Sequence, residues 1–427
     1  MLERLRSLVG GAGSARDRIG PLGPRLRSLR ARIGYREVLG IAMAVLAVAV
    51  VVIDGGPPAP APEPEAETPD EVEAAAAVGA PPEIASLLRD MSPSEKVGQI
   101  MLVGPNGTDA QGTVFGAIEE DGYGGIVIGA ADYESPGQTS DLSDAAAAAA
   151  RRGDGVAPWV LAPQAGGEGS ALAGLPPEKP PGQIGSPGDA ADAAADSARE
   201  LLDAGVNGVL APALDVAPFA DAEIGDLAYS DDEDEVSRYA AATVKAYREE
   251  GIFAAAGRFP GLGAASQSTE AGPVSLGLGI PELSRRDLRP FEAAIRAGVP
   301  GIVIGPGIYQ AGDFVTPASL SPTFATKLLR DRLGFKGVAI ADDLTSPAVT
   351  STVAPTDAAI ESVKAGVDLV HISSNAETQE AVHDALVKAV EKGTIDEARL
   401  DEAVARSLEA KREAGLLEDG AAGSGGG

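Results

Sequence analysis

The residues able to do chemistry stand just after short apolar runs. Asp342 and Asp343 follow GVAIA, Asp215 follows GVLAPAL, Arg258 follows IFAAAG, and Ser373 follows VDLVHI. Glu168, Glu270 and Tyr309 lie in the stretches that come after PWVLAP, IFAAAGRFP and GIVIGPG. Carboxylates, a guanidinium, hydroxyls and a phenol suit acid–base, nucleophilic or electrostatic chemistry on a polar substrate. There is no cysteine, which excludes a thiolate nucleophile, a thiolate zinc site and a disulfide framework. There are only two histidines, so a mechanism needing several imidazoles is excluded. His371 reads as packed near the end of its run, and His383, on a helix beside Asp384, reads as surface. The run Asp231-Asp232-Glu233-Asp234-Glu235 matches no calcium loop and reads as a helix N-terminus favoured by the dipole. No cofactor or metal is expected.

The apolar runs are the elements that must position these residues. Eight strand-like runs begin at Gln99, Gly124, Pro158, Gly208, Ile252, Gly301, Gly337 and Val367. Helical patterns fall between them, and Gly205, Gly251, Gly298 and Gly366 follow last helical turns, where glycine supplies a left-handed end. Ser92-Pro93-Ser94-Glu95 and Thr394-Ile395-Asp396-Glu397 read as capping boxes. Continuously apolar strands alternating with helices are buried on both sides, as parallel strands are. The fold class predicted is α/β, a (β/α)8 TIM-type barrel, with a final helix, Ile395–Gly415, packed outside. A doubly wound sheet is the alternative, but GPNGTDAQG after the first strand is no phosphate loop. In such a barrel the functional residues gather at the C-terminal strand ends. Trp159 sits mid-strand and is expected in the core.

Outside the barrel the composition changes. Residues 1–37 form an Arg-rich arm, and the sixteen uncharged residues Val38–Ile53 follow it. A spanning helix needs about 17–25 apolar residues, so this short run, with Tyr35 and Arg36 at its end, reads as a transmembrane anchor. The positive flank predicts an N-terminus in the cytoplasm and the rest extracytoplasmic. A cleaved signal peptide is the rival, but the charged region is long for one. Residues 54–82 are a Pro/Ala/Glu-rich, disordered stalk, 83–417 the barrel, and 418–427 a flexible tail. The formal charge of −29 argues against nucleic acid as a partner.

Five motifs in order carry a family resemblance: MSPSEKVGQIMLVG, LLDAGVNGVLAPALDVA, GRFPGLG, SRRDLRPFEAAIRAGVPGIVI and LGFKGVAIADDL. Over about residues 83–417 the chain resembles the N-terminal barrel of glycoside hydrolase family 3. It is most similar to bacterial β-N-acetylhexosaminidases that trim peptidoglycan sugars. The resemblance implies that Asp342, in Ala341-Asp342-Asp343-Leu344, is the nucleophile. The family's K-H-F-P-G-H-G reads Gly257-Arg258-Phe259-Pro260-Gly261-Leu262-Gly263, without its Lys and histidines. Its D-S-H acid/base segment reads Ser268-Thr269-Glu270, and its D-Q-E-G-G reads Pro163-Gln164-Ala165-Gly166-Gly167. Its I-G-x-R-S-F reads Ile224-Gly225-Asp226-Leu227-Ala228-Tyr229, and its A-H appears as Gly305-Pro306.

The glycines remain while the polar groups that would pair with sugar hydroxyls are gone. Each missing hydrogen bond of that kind costs ~1–3 kcal/mol of affinity. Loss of the acid/base removes roughly 10²–10⁴-fold in rate. Glu270 is the replacement acid/base candidate and Glu168 the next. Arg258, Glu168 and Tyr309 are candidate substrate-binding residues, with a structural ion pair from Arg258 to Asp342 or Asp215 as the bland alternative. Three functions compete: an impaired, membrane-anchored binding or scaffolding protein of the cell envelope, an active divergent retaining β-glycosidase, and a purely structural interaction domain. The partner expected is a carbohydrate or other cell-envelope ligand.

Overall fold

The computed structural model describes residues 80–219, 222 and 224–417. The predicted arm, anchor and tail, and the stalk up to residue 79, lie outside the described residues. Among the described residues no helix is long and apolar enough to cross a membrane.

Eight parallel strands form the central sheet: β1 Met101–Val103, β2 Gly125–Val127, β3 Trp159–Ala162, β4 Gly208–Val209, β5 Phe253–Phe259, β7 Gly301–Ile304, β9 Val338–Ala341 and β10 Val370–Ile372. Their order is β10-β1-β2-β3-β4-β5-β7-β9. An Ile340–Leu369 bridge joins the two ends, and Ala341 N donates to Leu369 O at 2.8 Å. The ring is therefore a nearly closed α/β barrel. All eight predicted runs supply a strand. Almost every strand residue is buried, because side chains fill the lumen on one face and meet helices on the other. A small parallel pair, β6 Ser275–Leu276 and β8 Ile308–Tyr309, is not among the predicted strands.

Local chemistry sets the helix ends. Ser92 and Glu95 make the predicted box, with Ser92 N donating to Glu95 Oε2 at 2.7 Å. At the last helix Asp396 caps instead, accepting from Ala398 N at 3.1 Å, so the box predicted from Thr394 is corrected. The helix starts at Glu397, so Asp396 is the residue adjoining the first turn, and Thr394 lies two residues further out. Asp232 likewise caps Glu233–Glu249 through Asp234 N and Glu235 N, as the acidic run implied.

The last helix, Glu397–Glu413, does not lie simply on the outside. It runs under the N-terminal strand ends and closes the floor. Lys411 Nζ donates to Gln99 Oε1 at 2.9 Å just before β1, and Trp159 Nε1 at the foot of β3 donates to Ser407 Oγ at 3.3 Å. Asp368, fully buried before β10, is held by Arg330, by Arg399 at 2.8 Å and by Arg406 at 3.0 Å. A cavity of about 590 Å³ remains on this floor between the helix and the feet of β5, β7 and β9, at the opposite end from Asp342.

Candidate active site

Asp342 is the first residue beyond β9, and its N–H donates to Ile304 O of β7 at 2.9 Å. The neighbouring strand thus pins the backbone that carries the carboxylate. Burial pushes the Asp342 carboxyl up from the usual carboxylate range, opposed by the Arg258 charge and, less strongly, by His371. Asp343 is differently placed. Its Oδ2 accepts from Ser373 Oγ at 2.5 Å, and its Oδ1 from Thr345 Oγ1 at 2.6 Å and Thr345 N at 2.9 Å. Burial alone would raise it, but the His371 charge and these donors leave it below the ordinary value. The two adjacent aspartates are therefore driven in opposite directions by their surroundings.

Arg258 comes from β5. Its Nη2 and Nε donate to Asp215 Oδ2 at 3.0 and 3.2 Å, and the other Asp215 oxygen accepts from Leu262 N at 2.5 Å. Asp215 is fully buried, so this is the structural ion pair anticipated as the bland alternative. The Asp342 charge also acts on Arg258, which places the guanidinium between the two acids electrostatically. Two glycines make room for the arrangement. A Cβ at Gly305 would fall 3.2 Å from Arg258 Cβ, and one at Gly263 would fall 1.9 Å from Val216 O.

The remaining candidates scatter. Tyr309 is buried, its hydroxyl donating to Gly261 O at 2.7 Å, so it props the Phe259–Gly263 turn from within the core. Glu168 is exposed on the turn Gly167–Gly169, which packs against Gly225–Leu227. Glu270 is exposed on the turn Thr269–Ala271, which packs against the short helix Pro347–Thr350 beyond Asp342. Gln164 is fully buried, its Nε2 donating to Leu172 O and Leu175 O, and so it shapes the loop after β3.

The two histidines correct the sequence reading in different ways. His383 is not a surface residue. Its ring packs on Tyr123 with centroids 5.6 Å apart and its Nε2 lies 3.2 Å from Ser94 O. His371 is packed as expected, yet its Nε2 is buried without a hydrogen-bond partner and its charge acts on both aspartates. The signal that could have revealed it is strand parity, since His371 lies on β10 two residues before Ser373, the first residue beyond it.

Eight parallel strands with charged groups at their C-terminal ends have the layout of a barrel enzyme. The sequence profile described as the glycosyl hydrolase family 3 N-terminal domain matches residues 93–410, and the chain belongs to that family. It is 28% identical over 318 residues to a beta-hexosaminidase of Nitrosomonas eutropha, covering 70% of this chain and 89% of that one. It is 33% identical over 224 residues to an uncharacterized secreted glycosyl hydrolase of Arthroderma benhamiae, covering 51% and 63%. A glycoside hydrolase family 3 beta-N-acetylglucosaminidase from Paenibacillus sp. superposes with a TM-score of 0.74 at 30% identity, over 79% of this chain and 65% of that one. The chain thus spans less than two thirds of the last two. Its kinship to β-N-acetylhexosaminidases is plain.

Proposed function

We propose that this chain is a catalytically impaired barrel of the β-N-acetylhexosaminidase kind that binds a carbohydrate at the cell envelope, extracytoplasmic and tethered to the membrane by its N-terminal segment. The observation that carries the impairment is the state of the acids around Asp342. Hydrolysis with two carboxyl groups needs one as carboxylate and another as proton donor, at ~5–5.5 Å apart in a retaining enzyme and ~6.5–9.5 Å in an inverting one. Asp215 is tied to Arg258, and the His371 charge together with the Ser373 and Thr345 donors holds Asp343 below the ordinary carboxylate value. Neither serves as a donor. The family resemblance adds support, since Gly257, Arg258 and Leu262 stand where its motif has Lys, His and His. Tethering and location rest on the apolar run and its Arg flank alone.

A second reading, an active divergent retaining β-glycosidase acting on N-acetylglucosamine-type sugars, is favoured by one packing arrangement. The Thr269–Ala271 turn leans on the Pro347–Thr350 helix, which brings the Glu270 loop to the side of the rim that carries Asp342. In this reading Asp342 attacks the anomeric carbon and Glu270 is the acid/base.

A panel of chromogenic β-glycosides, including the N-acetylglucosaminide, decides between them with Asp342→Asn as control. We expect turnover no higher in the wild type than in Asp342→Asn, together with calorimetric binding of N-acetylglucosamine oligomers. Turnover that vanishes on that substitution overturns the impaired reading.

A further inference from the structure

The loop that leaves β7 carries a feature that neither the core nor Asp342 accounts for. Of the eight phenylalanines six are buried, and one of the two exposed ones, Phe314, stands at the tip of this loop with 59% exposure. Val315 beside it is 67% exposed. Two adjacent large apolar side chains in water forgo the burial that would stabilise them. Phe314 also has φ of 64°, and the other non-glycine residue with positive φ among the described residues is Asn106. Asparagine tolerates that left-handed region, whereas a bulky side chain there is an outlier held in place by its surroundings.

The loop is built to hold this tip. At its base Ala318 N donates to Gly307 O at 2.8 Å, and Ile308 bridges Pro317. Along one side it is zipped to the loop from β5, with Ile308 N donating to Val274 O at 2.8 Å and Gln310 N to Leu276 O at 3.2 Å. Below the tip Gly312 packs so closely that a Cβ there would fall 3.2 Å from the Phe324 ring. At the tip Asp313 folds the chain back. Its Oδ1 accepts from Val315 N at 3.1 Å and Thr316 N at 2.8 Å, and its Oδ2 from Thr316 Oγ1 at 2.6 Å. Asp313 is the sole charged residue from Gly305 to Ser321.

Position narrows what the tip can meet. β7 lies between β5, which carries Arg258, and β9, which leads to Asp342. Asp342 N is bonded to Ile304 O at the very end of β7, and Gly305, the first loop residue, lies against Arg258. Three or four residues out and back limit the tip to about 12 Å beyond its base. An oligosaccharide spans such a distance and a single sugar does not. In a chain of net charge −29 an uncharged apolar tip suits a neutral partner, since anionic headgroups are repelled by the molecule and cationic groups find their partners elsewhere on it. The C–H face of a pyranose ring is neutral and apolar and lies flat on an aromatic ring while its hydroxyls stay in water.

We propose that Phe314, flanked by Val315, is an outer saccharide platform. It takes a sugar unit beyond the one that reaches Asp342, so the site recognises an oligosaccharide of the N-acetylglucosamine type rather than a single sugar. This deepens the proposed function and rests on that reading for its ligand. No bond is made or broken at the platform.

The test is calorimetric titration of the full chain with N-acetylglucosamine and its dimer to tetramer. We expect affinity to rise with length in the wild type. Phe314→Asn should remove the rise, weakening the tetramer ~5-fold or more and leaving the monosaccharide unchanged. Leu202→Ala, on the outer helix Pro187–Asp203 and 40% exposed, should change neither. Asparagine suits a positive φ, so the urea midpoint of Phe314→Asn should match or exceed that of the wild type. A lower midpoint makes Phe314 a structural residue and overturns the proposal. Tetramer binding that survives Phe314→Asn also overturns it and leaves the proposed function standing. Tetramer binding lost in Phe314→Asn but untouched in Asp342→Asn upholds the platform and counts against the proposed function alone. Silence toward every oligomer overturns both. Cosedimentation with phosphatidylglycerol vesicles that depends on Phe314 marks the tip as a membrane contact and overturns the platform.

Discussion

At the scale of residues, the site is governed by who holds which charge. Asp215 has no access to water and depends on Arg258. Arg258→Met removes that partner and leaves a buried anion, so we expect a loss of about 3–5 kcal/mol, measured by urea unfolding at neutral pH. Asp215→Asn with Arg258→Met should recover part of it, because the uncompensated charge is then gone. Position along the chain made Asp342 legible, since a strand end in a parallel barrel faces the rim. The Arg258–Asp215 pair was legible as a possibility, because opposite charges at two strand ends can meet. Tyr309 was not, because whether a phenol stacks on a ligand or bonds a carbonyl depends on the path of the Phe259–Gly263 turn. His383 misled because Asp384 beside it suggested water, whereas a helix buries every third or fourth residue regardless of its neighbours.

At the scale of elements, the final helix does more than cover a face. Lys411 is buried against Gln99, and desolvation pushes its ammonium down to about 7. The unfolded chain returns it to the ordinary lysine value, so between about 7 and 10.5 the unfolded state binds more protons. Stability contributed by this group therefore rises with pH across that window. Denaturation midpoints at pH 7 and 9.5 should show the rise, and Lys411→Met should flatten it. A second test concerns the turn beside Arg258. Gly263→Ala drives a Cβ into Val216 O, and we expect a loss of ~1–3 kcal/mol by the same measurement. Glycines at helix ends were readable in the sequence: Gly205, Gly251, Gly298 and Gly366 all have positive φ. The β6–β8 pair was not, since two-residue strands leave no periodicity to detect.

At the scale of the molecule, the barrel should unfold as one unit and report on itself. Trp159 is the sole tryptophan, fully buried, and touches both Phe253 of β5 and Ser407 of the last helix. We expect its red shift on unfolding to coincide with loss of helix signal in circular dichroism. A red shift that precedes it would mean that the floor opens first. The ring itself was legible because alternation of apolar runs and helices leaves few topologies. The floor was not, because nothing local in Glu397–Glu413 says that its lysine and arginines will turn inward.

The clasp on Asp368 has a consequence for synthesis on the ribosome. Two of its three arginines, Arg399 and Arg406, are made after every strand of the ring, and β1 waits for β10 across most of the chain. A nascent polypeptide therefore carries an unsealed sheet, with β1 and later strands offering bare edges, until β10 and the helix that follows it have been made. Premature stop codons ahead of Arg399 should yield sticky, protease-sensitive products rather than shortened working ones.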